Sequence, residues 1–227
     1  MKLLAVDTST EACSAALFID GDIRETFALA PREHTKLILP MIDKLLIDAG
    51  LLPQQLDAVA LSRGPGSFTG VRIATGVAHG IAFGADIPVV LVSTLAAIAQ
   101  DVLNRHQVDL TFTAMDARMD ELFWGVYQPN ALGLAELIGE EAVTPADKVD
   151  YPDREGVGVG SGWSVHGNAL SSRLGDRVKY VINDVWPHAA CVAQLGAYDC
   201  ANGLAVPVEQ AMPVYLRDKV AKKQSER

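Results

Sequence analysis

The sequence predicts an α/β protein made of two related halves, and two patterns that each occur twice predict it. A buried strand that ends in an aspartate and turns into a second strand occurs at Asp7 and again at Asp116. A strand followed by a Gly-x-Gly turn and a helix occurs at residues 64–66 and again at 160–162. The amino-acid sequences of the two halves barely match, but the order of their strands and helices is the same, so we expect a duplicated βββαβα core.

The junction between the halves is predicted near residues 105–109. The domains are then residues 1–106, which carry the Gly-Pro-Gly turn, and residues 107–227, a degenerate copy with a tail. One large domain with a mixed sheet is the alternative that the sequence leaves open.

In the first half, apolar runs separated by turn residues predict strands over 3–9, 12–22, 23–30, 56–62 and 89–93. Apolar residues at helical spacing predict helices over 35–49, 68–85 and 94–105. Pro40 lies inside the first of these helices and should bend it or delay its start, because proline cannot donate a backbone hydrogen bond. In the second half the same signals predict strands at 110–116, 121–128, 136–143, 156–159 and 179–184, and helices at 165–175 and 188–202.

Composition and charge exclude several classes of protein. The 227 residues are 49% hydrophobic and 21% charged, which argues against wholesale disorder, and the net charge of −9 makes the chain a poor general binder of nucleic acid. The three cysteines, Cys13, Cys191 and Cys200, form no C-x-x-C motif, so neither a zinc site nor a disulfide framework is indicated. Polar residues and Pro88 interrupt the most apolar window, residues 76–99, so we expect a cytoplasmic protein without membrane segments.

Four motifs carry a family resemblance, which is dense over roughly residues 1–127. The segments VDTSTEACSAAL, REHTKLILPMI, SRGPGSFTGVRIATGVAHGIA and DARMDELFWGVY resemble the TsaB (YeaZ) family of the bacterial system that makes threonylcarbamoyladenosine in tRNA. The resemblance implies the two-lobed fold shared by actin, hexokinase and the Hsp70 ATPase. Either GPGSFTGVR or DTST alone would be a weak match, but their combination is specific.

The resemblance also implies a role and partners. The related transferase, TsaD, moves a threonylcarbamoyl group to adenosine 37 of tRNAs that read codons beginning with A, and TsaB is its non-catalytic sibling. TsaB pairs with TsaD, a small ATPase called TsaE joins them, and homodimers also form. The resemblance therefore implies no cofactor for this chain, ATP or ADP at a subunit boundary at most, and tRNA contact only through the complex.

The residues themselves offer a candidate phosphate site, although it has two interpretations. Asp7, Thr8, Ser9 and Thr10 could hold a metal–phosphate group, with amides near Gly64 and Gly66 approaching the anion. Alternatively, these residues only shape a hairpin and a strand–helix corner, as a vestigial loop would. In the second half, Asp116 and Arg118 could face the same cleft, or could form a local ion pair.

No metal site is expected from the histidines. Where the transferase carries a metal-binding His-x-x-x-His, this chain reads IPVVLVSTLAAIAQD, and its five histidines are scattered. Two rival functions nevertheless remain open. One is an ATP-dependent phosphotransferase or ATPase using Asp7, and the other is a metallopeptidase.

The helix over 68–85 predicts a partner surface, because it is apolar nearly all round while its polar stripe is narrow. We expect Gly70, Ala74, Val77, Ile81 and Ala85 to pack on the sheet, and Arg72, Thr75 and His79 to form the polar stripe. The predicted interface comprises Leu37, Met41, Arg72, Ile73, Gly76, Gly80 and Phe83. The alternative is that the first two helices bury each other. The basic tail, residues 215–227, could touch tRNA or be a solvated terminus.

Overall fold

The computed structural model describes residues 1–217. The first half contains β1 (Lys2–Asp7), β2 (Ala12–Ile19), β3 (Asp22–Leu29), α1 (His34–Ala49), β4 (Ala58–Ser62), α2 (Phe68–Ala85), β5 (Val89–Val92) and α3 (Thr94–Arg105). The second contains β6 (Thr111–Arg118), β7 (Glu121–Pro129), β8 (Ala135–Thr144), β9 (Gly156–Val159), α4 (Ser161–Leu174), β10 (Val178–Ile182) and α5 (Ala189–Ala201). No helix of residues 1–217 is long and apolar enough to cross a membrane.

The two sheets have the same topology, which confirms the predicted duplication. The first sheet has the order β3-β2-β1-β4-β5 and the second has the order β10-β9-β6-β7-β8, which is the same order reversed. In each sheet the first two strand pairs are antiparallel meanders and the remaining pairs are parallel. β1 is the central strand, and its apolar residues Leu3, Leu4, Ala5 and Val6 are all completely buried.

The helices form outer and central layers around the sheets. On the first sheet, α1 and α2 cover one face, and α5 covers the other with Val192, Ala193 and Leu195. On the second sheet, α4 covers one face and α3 covers the other with Leu95, Ile98 and Val102. The halves therefore exchange one helix each: α3 precedes residue 107 but packs on the second sheet, and α5 follows it but packs on the first.

The structure of α1 bears on two expectations. Of the two effects expected of Pro40, a delayed start does not occur, because the helix begins at His34 and continues through the proline. Met41 was expected at a free surface, but it is only 8% exposed and its Sδ lies 4.0 Å from Cys13 Sγ in the core of the first half. Leu37 is half-buried against the same core. Met41 is inward-facing because it shares the buried stripe of Ile38, Ile42 and Leu45.

The buried face of α2 also differs from the expectation. The buried residues are Gly70, Val71, Ala74, Thr75, Ala78 and Ala82, whereas Val77, Ile81 and Ala85 are half-buried. Thr75, expected in the polar stripe, is buried and its Oγ1 donates to the Val71 carbonyl at 2.9 Å. Because small residues line the inner face, the helix lies close to the sheet, and the larger side chains are displaced towards its edges.

Candidate functional site

The Asp7 carboxylate is directed into the protein. It is completely buried, and it accepts hydrogen bonds from Ser9 N at 3.0 Å, from Ser9 Oγ at 3.1 Å and from Ser62 Oγ. Burial raises the pKa of Asp7 to about 6, although these hydrogen bonds act in the opposite direction. Asp7 therefore joins the ends of β1 and β4, and it does not line the cleft between the lobes.

The Gly-Pro-Gly loop is packed directly on the first hairpin. Ser67 N donates to Ser9 O at 2.7 Å, and Thr8 Oγ1 donates to Gly70 O at 2.7 Å. A Cβ added at Gly66 would collide with Ser9 O, and one at Gly70 would collide with Thr8 O. The glycines thus permit direct backbone contact between the loop and the hairpin. Ser67 then caps α2 by accepting from Gly70 N at 3.3 Å.

Asp116 and Arg118 lie together on the second lobe. The Arg118 guanidinium is 3.1 Å from Asp116 Oδ2, and Arg118 N donates to Asp116 Oδ1 at 3.0 Å. Arg118 is 80% exposed, so this ion pair contributes little to stability. His166 Nε2 is 3.5 Å from Asp116 Oδ1, which the sequence did not indicate because α4 brings it there from 50 residues away.

A cleft of about 850 Å³ separates the lobes and collects part of the predicted site. Ser9, Thr10 and Gly66 line it from the first lobe, and Asp116 and Arg118 line it from the second. Asp7, Thr8 and Gly64 do not. The cleft therefore brings together residues of both lobes, whereas the Asp7 carboxylate lies outside it.

A C-terminal segment, residues 211–217, crosses from one lobe to the other beside this cleft. On the first lobe, His79 Nε2 is 2.6 Å from Ala211 O, and Val214 N donates to Arg63 O at 2.9 Å. On the second lobe, Arg217 donates to Ala117 O at 2.9 Å and Arg118 O at 3.2 Å. We call this segment the strap. A lone arginine near a terminus carries no sequence signal, so the strap was not predicted, and Lys219, Lys222, Lys223 and Arg227 lie outside the described residues.

The turn that the strap holds is strained. Arg118, Met119 and Asp120 have φ values of 63°, 57° and 59°, a left-handed conformation that is unfavourable for residues other than glycine. Arg217 binds the carbonyls that lead into this turn, so it stabilises the conformation.

The outer face of α2 is open. Phe83 is 76% exposed, and a Cβ added at Gly76, Gly80 or Gly84 would meet nothing within 4 Å. Arg72 is exposed and its guanidinium lies 3.3 Å from the centre of the Phe68 ring. Ile73 is half-buried against the α1 core, so the first two helices cover each other in part. We call Gly76, Gly80, Phe83 and Gly84 the open face.

Two of the histidines have polar partners that hold them in the fold. His34 Nε2 is 2.9 Å from Thr10 O, and His188 Nδ1 is 2.9 Å from Glu25 Oε2, whose hydrogen bond raises the pKa of His188. Residues 1–217 contain no group of three His, Cys, Asp or Glu side chains placed to hold a metal ion.

The fold and the site define a two-lobed α/β protein of the actin, hexokinase and Hsp70-ATPase type, whose first hairpin is closed against its Gly-Pro-Gly loop. A family model described as "TsaD: tRNA N6-adenosine threonylcarbamoyltransferase" matches residues 28–224. The chain is 40% identical to "tRNA threonylcarbamoyladenosine biosynthesis protein TsaB" from Escherichia coli strain K12, over 97% of this chain and 96% of the relative.

Two further matches agree. A protein of the same name from Haemophilus influenzae is 36% identical, over 97% of this chain and 95% of the relative. The solved structure "YeaZ from Pseudomonas aeruginosa" matches with a TM-score of 0.87 and 41% identity, over 95% of this chain and 99% of that chain. The chain belongs to the TsaB (YeaZ) family, and the predicted resemblance is confirmed.

Proposed function

We propose that the chain is a non-catalytic subunit required for threonylcarbamoylation of adenosine 37 in tRNAs that read codons beginning with A. It acts in the cytoplasm by pairing with a TsaD-type transferase and helping to recruit a TsaE-type ATPase, and tRNA reaches it only through this complex. The names of the relatives assign them to tRNA threonylcarbamoyladenosine biosynthesis, and the proposal extends that process to this chain. The open face of α2 is the observation that carries it.

The open face suits a second helix. Glycines at 76, 80 and 84 recur every four residues, so they lie along one line of the helix surface, and each leaves space for a close neighbour. Phe83 supplies a large exposed apolar side chain beside that line. Each exposed glycine destabilises a helix by about 1 kcal/mol relative to alanine. Three such glycines on one surface therefore favour a function in which their small size matters, namely close contact with a partner helix.

The first hairpin supports a non-catalytic role. A phosphate-binding aspartate must face the ligand, but the Asp7 carboxylate is bonded inward to Ser9 and Ser62. In this proposal the chain itself needs no cofactor. Any ATP or ADP binds where the two subunits meet, and the open face supports a homodimer when the partner is absent.

Reconstitution tests the role. A TsaD-type transferase, a TsaE-type ATPase, ATP, a threonylcarbamoyl donor system and unmodified tRNA are combined with and without this chain, and modified adenosines are counted. We expect modification only when the chain is present, and none with the chain alone. Full modification without the chain would refute the accessory role.

Three matched variants test the surface. Gly76→Arg and Gly80→Arg should abolish pairing with the transferase, because each places a long charged side chain on the open face. Gly167→Arg, in α4, is the control, since that glycine is also helical and also has open space at its Cβ. Pairing is measured by analytical ultracentrifugation, and circular dichroism verifies that all three variants are folded. Normal pairing by the first two would contradict the interface.

One rival function has a specific observation in its favour. The cleft of about 850 Å³ is large enough for a nucleotide, which favours an ATP-dependent phosphotransferase or ATPase. That function predicts ATP binding by the isolated chain, and calorimetric titration of ATP distinguishes it from the accessory role.

A further inference from the structure

The strap forms part of the wall of the cleft between the lobes. Val214 and Leu216 are half-buried and line the cleft. There they join apolar side chains of both lobes, such as Val71 from the first and Met115 and Phe123 from the second. Residues 211–217 belong to no helix or strand, so only their own contacts hold them in this position. The strap therefore covers apolar surface that would be exposed to water without it.

The attachment of the strap to the first lobe is buried and uses the backbone. Ala211 is completely buried in an apolar cluster of that lobe, and its carbonyl oxygen lies 2.6 Å from His79 Nε2. Val214 N donates to Arg63 O at 2.9 Å. Val214 O also packs closely over Gly64, because a Cβ added at that glycine would lie 3.1 Å from it. Removing any one side chain of the strap leaves these backbone hydrogen bonds in place.

The attachment to the second lobe depends on one side chain. Within residues 1–217, every hydrogen bond and ion pair between the strap and that lobe comes from Arg217, which donates to Ala117 O and Arg118 O and pairs with Glu121. The Glu121 side chain is 34% exposed, so water can replace its part of this contact. The turn that Arg217 holds is strained, and relaxation of the strain favours release. The second-lobe end is therefore the weaker of the two.

We propose that the strap is a lid of the cleft, which stays attached to the first lobe and detaches from the second. When Arg217 leaves its acceptors, residues 215–217 move away from the second lobe, the turn at 118–120 relaxes, and the apolar lining of the cleft becomes accessible from outside. Access to the cleft is thereby controlled by one arginine. The proposal concerns contacts within this chain only, so it does not depend on the role in tRNA modification.

A tryptophan of the chain reports on the state of the lid. Trp124 and Trp163 are 2% and 4% exposed, whereas Trp186 is half-buried and lines the cleft. Quenching of tryptophan fluorescence by acrylamide, a small neutral molecule, therefore measures access to the cleft. In the full chain, Arg217→Ala should raise the quenching constant by about twofold or more, because the lid opens more often. The same change should have no effect in a Trp186→Phe background, and circular dichroism verifies that each variant is folded.

Two further variants and a second measurement complete the test. Glu121→Gln leaves the carbonyl acceptors in place and should give a smaller rise, and it carries the test if Arg217→Ala does not fold. Arg177→Ala is the control, since it removes an ion pair with Asp153 on the second lobe, away from the cleft. Hydrogen exchange should show the Val214 amide still protected in Arg217→Ala. Unchanged quenching in the Arg217 and Glu121 variants, an equal rise in the control, or loss of protection at Val214 would each overturn the proposal.

Discussion

Alanine at both Gly76 and Gly80 should stabilise the isolated chain and weaken its complex with the transferase. Both glycines are exposed in the middle of α2, and the added methyl groups would meet nothing within 4 Å. Each replacement gains about 0.8–1.0 kcal/mol of helix stability, so the pair should gain about 2 kcal/mol. For a chain of this length, that corresponds to a rise in melting temperature of about 4–8 °C.

The same two methyl groups should impair pairing. They stand on the line along which a partner helix would approach, so the helices are held apart and packing contacts are lost. We expect the dissociation constant for the transferase to rise about tenfold, which corresponds to about 1.4 kcal/mol. Stability is measured by calorimetric melting at two protein concentrations, because a melting temperature that depends on concentration would reveal a homodimer. Sedimentation or titration calorimetry measures pairing.

Gly167→Ala is the matched control for this prediction. It lies in α4 with equally open space at its Cβ, so it should gain similar helix stability and leave pairing unchanged. A double variant that is stabilised yet pairs with an unchanged dissociation constant would refute the interface. One that gains no stability would refute the inference that these positions are open in the isolated chain.

Three further perturbations have defined outcomes. Because burial raises the pKa of Asp7 to about 6, the folded state holds an extra proton between about pH 4 and 6, and the free energy of unfolding should fall as pH rises through that range. The total change is roughly 3 kcal/mol at most, and Asp7→Asn should flatten it. Urea unfolding at several pH values measures this dependence. The hydrogen bond to Glu25 raises the pKa of His188 in the folded state. The ion pair therefore adds its full contribution to the free energy of unfolding below the pKa that His188 has in the unfolded chain, and this contribution is lost as pH rises through the pKa of the folded state. His188→Gln should therefore cost about 1 kcal/mol more at pH 5.5 than at pH 9, and equal costs would contradict the ion pair. Arg217→Ala removes the bonds to the strained turn, so amide hydrogen exchange over residues 117–121 should accelerate about tenfold or more, whereas unchanged exchange would show that the turn needs no strap.

The two halves could be predicted from the sequence because the signals that define their strands and turns are local. Apolar runs, tight turns and repeated aspartate and glycine positions identify the strands, and meanders and crossovers then leave few topologies. The packing of α3 and α5 could not be predicted in this way. An amphipathic helix shows that one face is buried, but Leu95 and Val192 do not indicate which of two sheets will cover them.

Some features of the site could likewise be predicted from the sequence, and others could not. The closeness of Ser9 and Gly66 follows from the fold, since both lie at the ends of adjacent strands. The inward direction of Asp7 depends on the Ser62 hydroxyl, which reaches it from 55 residues away. On α2, almost every position is apolar or small, so periodicity could not separate Thr75 and Val71, which are buried, from the exposed Gly76. The buried face could not be predicted because the hydrophobicity of this helix varies too little from position to position.

The exchange of helices between the halves has a consequence for synthesis on the ribosome. All five strands of the first sheet are complete at Val92, but the helix that covers one of its apolar faces begins only at Ala189. At about 5–20 residues per second, the intervening stretch takes roughly 5–20 s to translate. During that time Leu3, Ala5 and Ala60 lack the helix that covers them in the folded protein, so an apolar face of the first sheet stays exposed until α5 emerges.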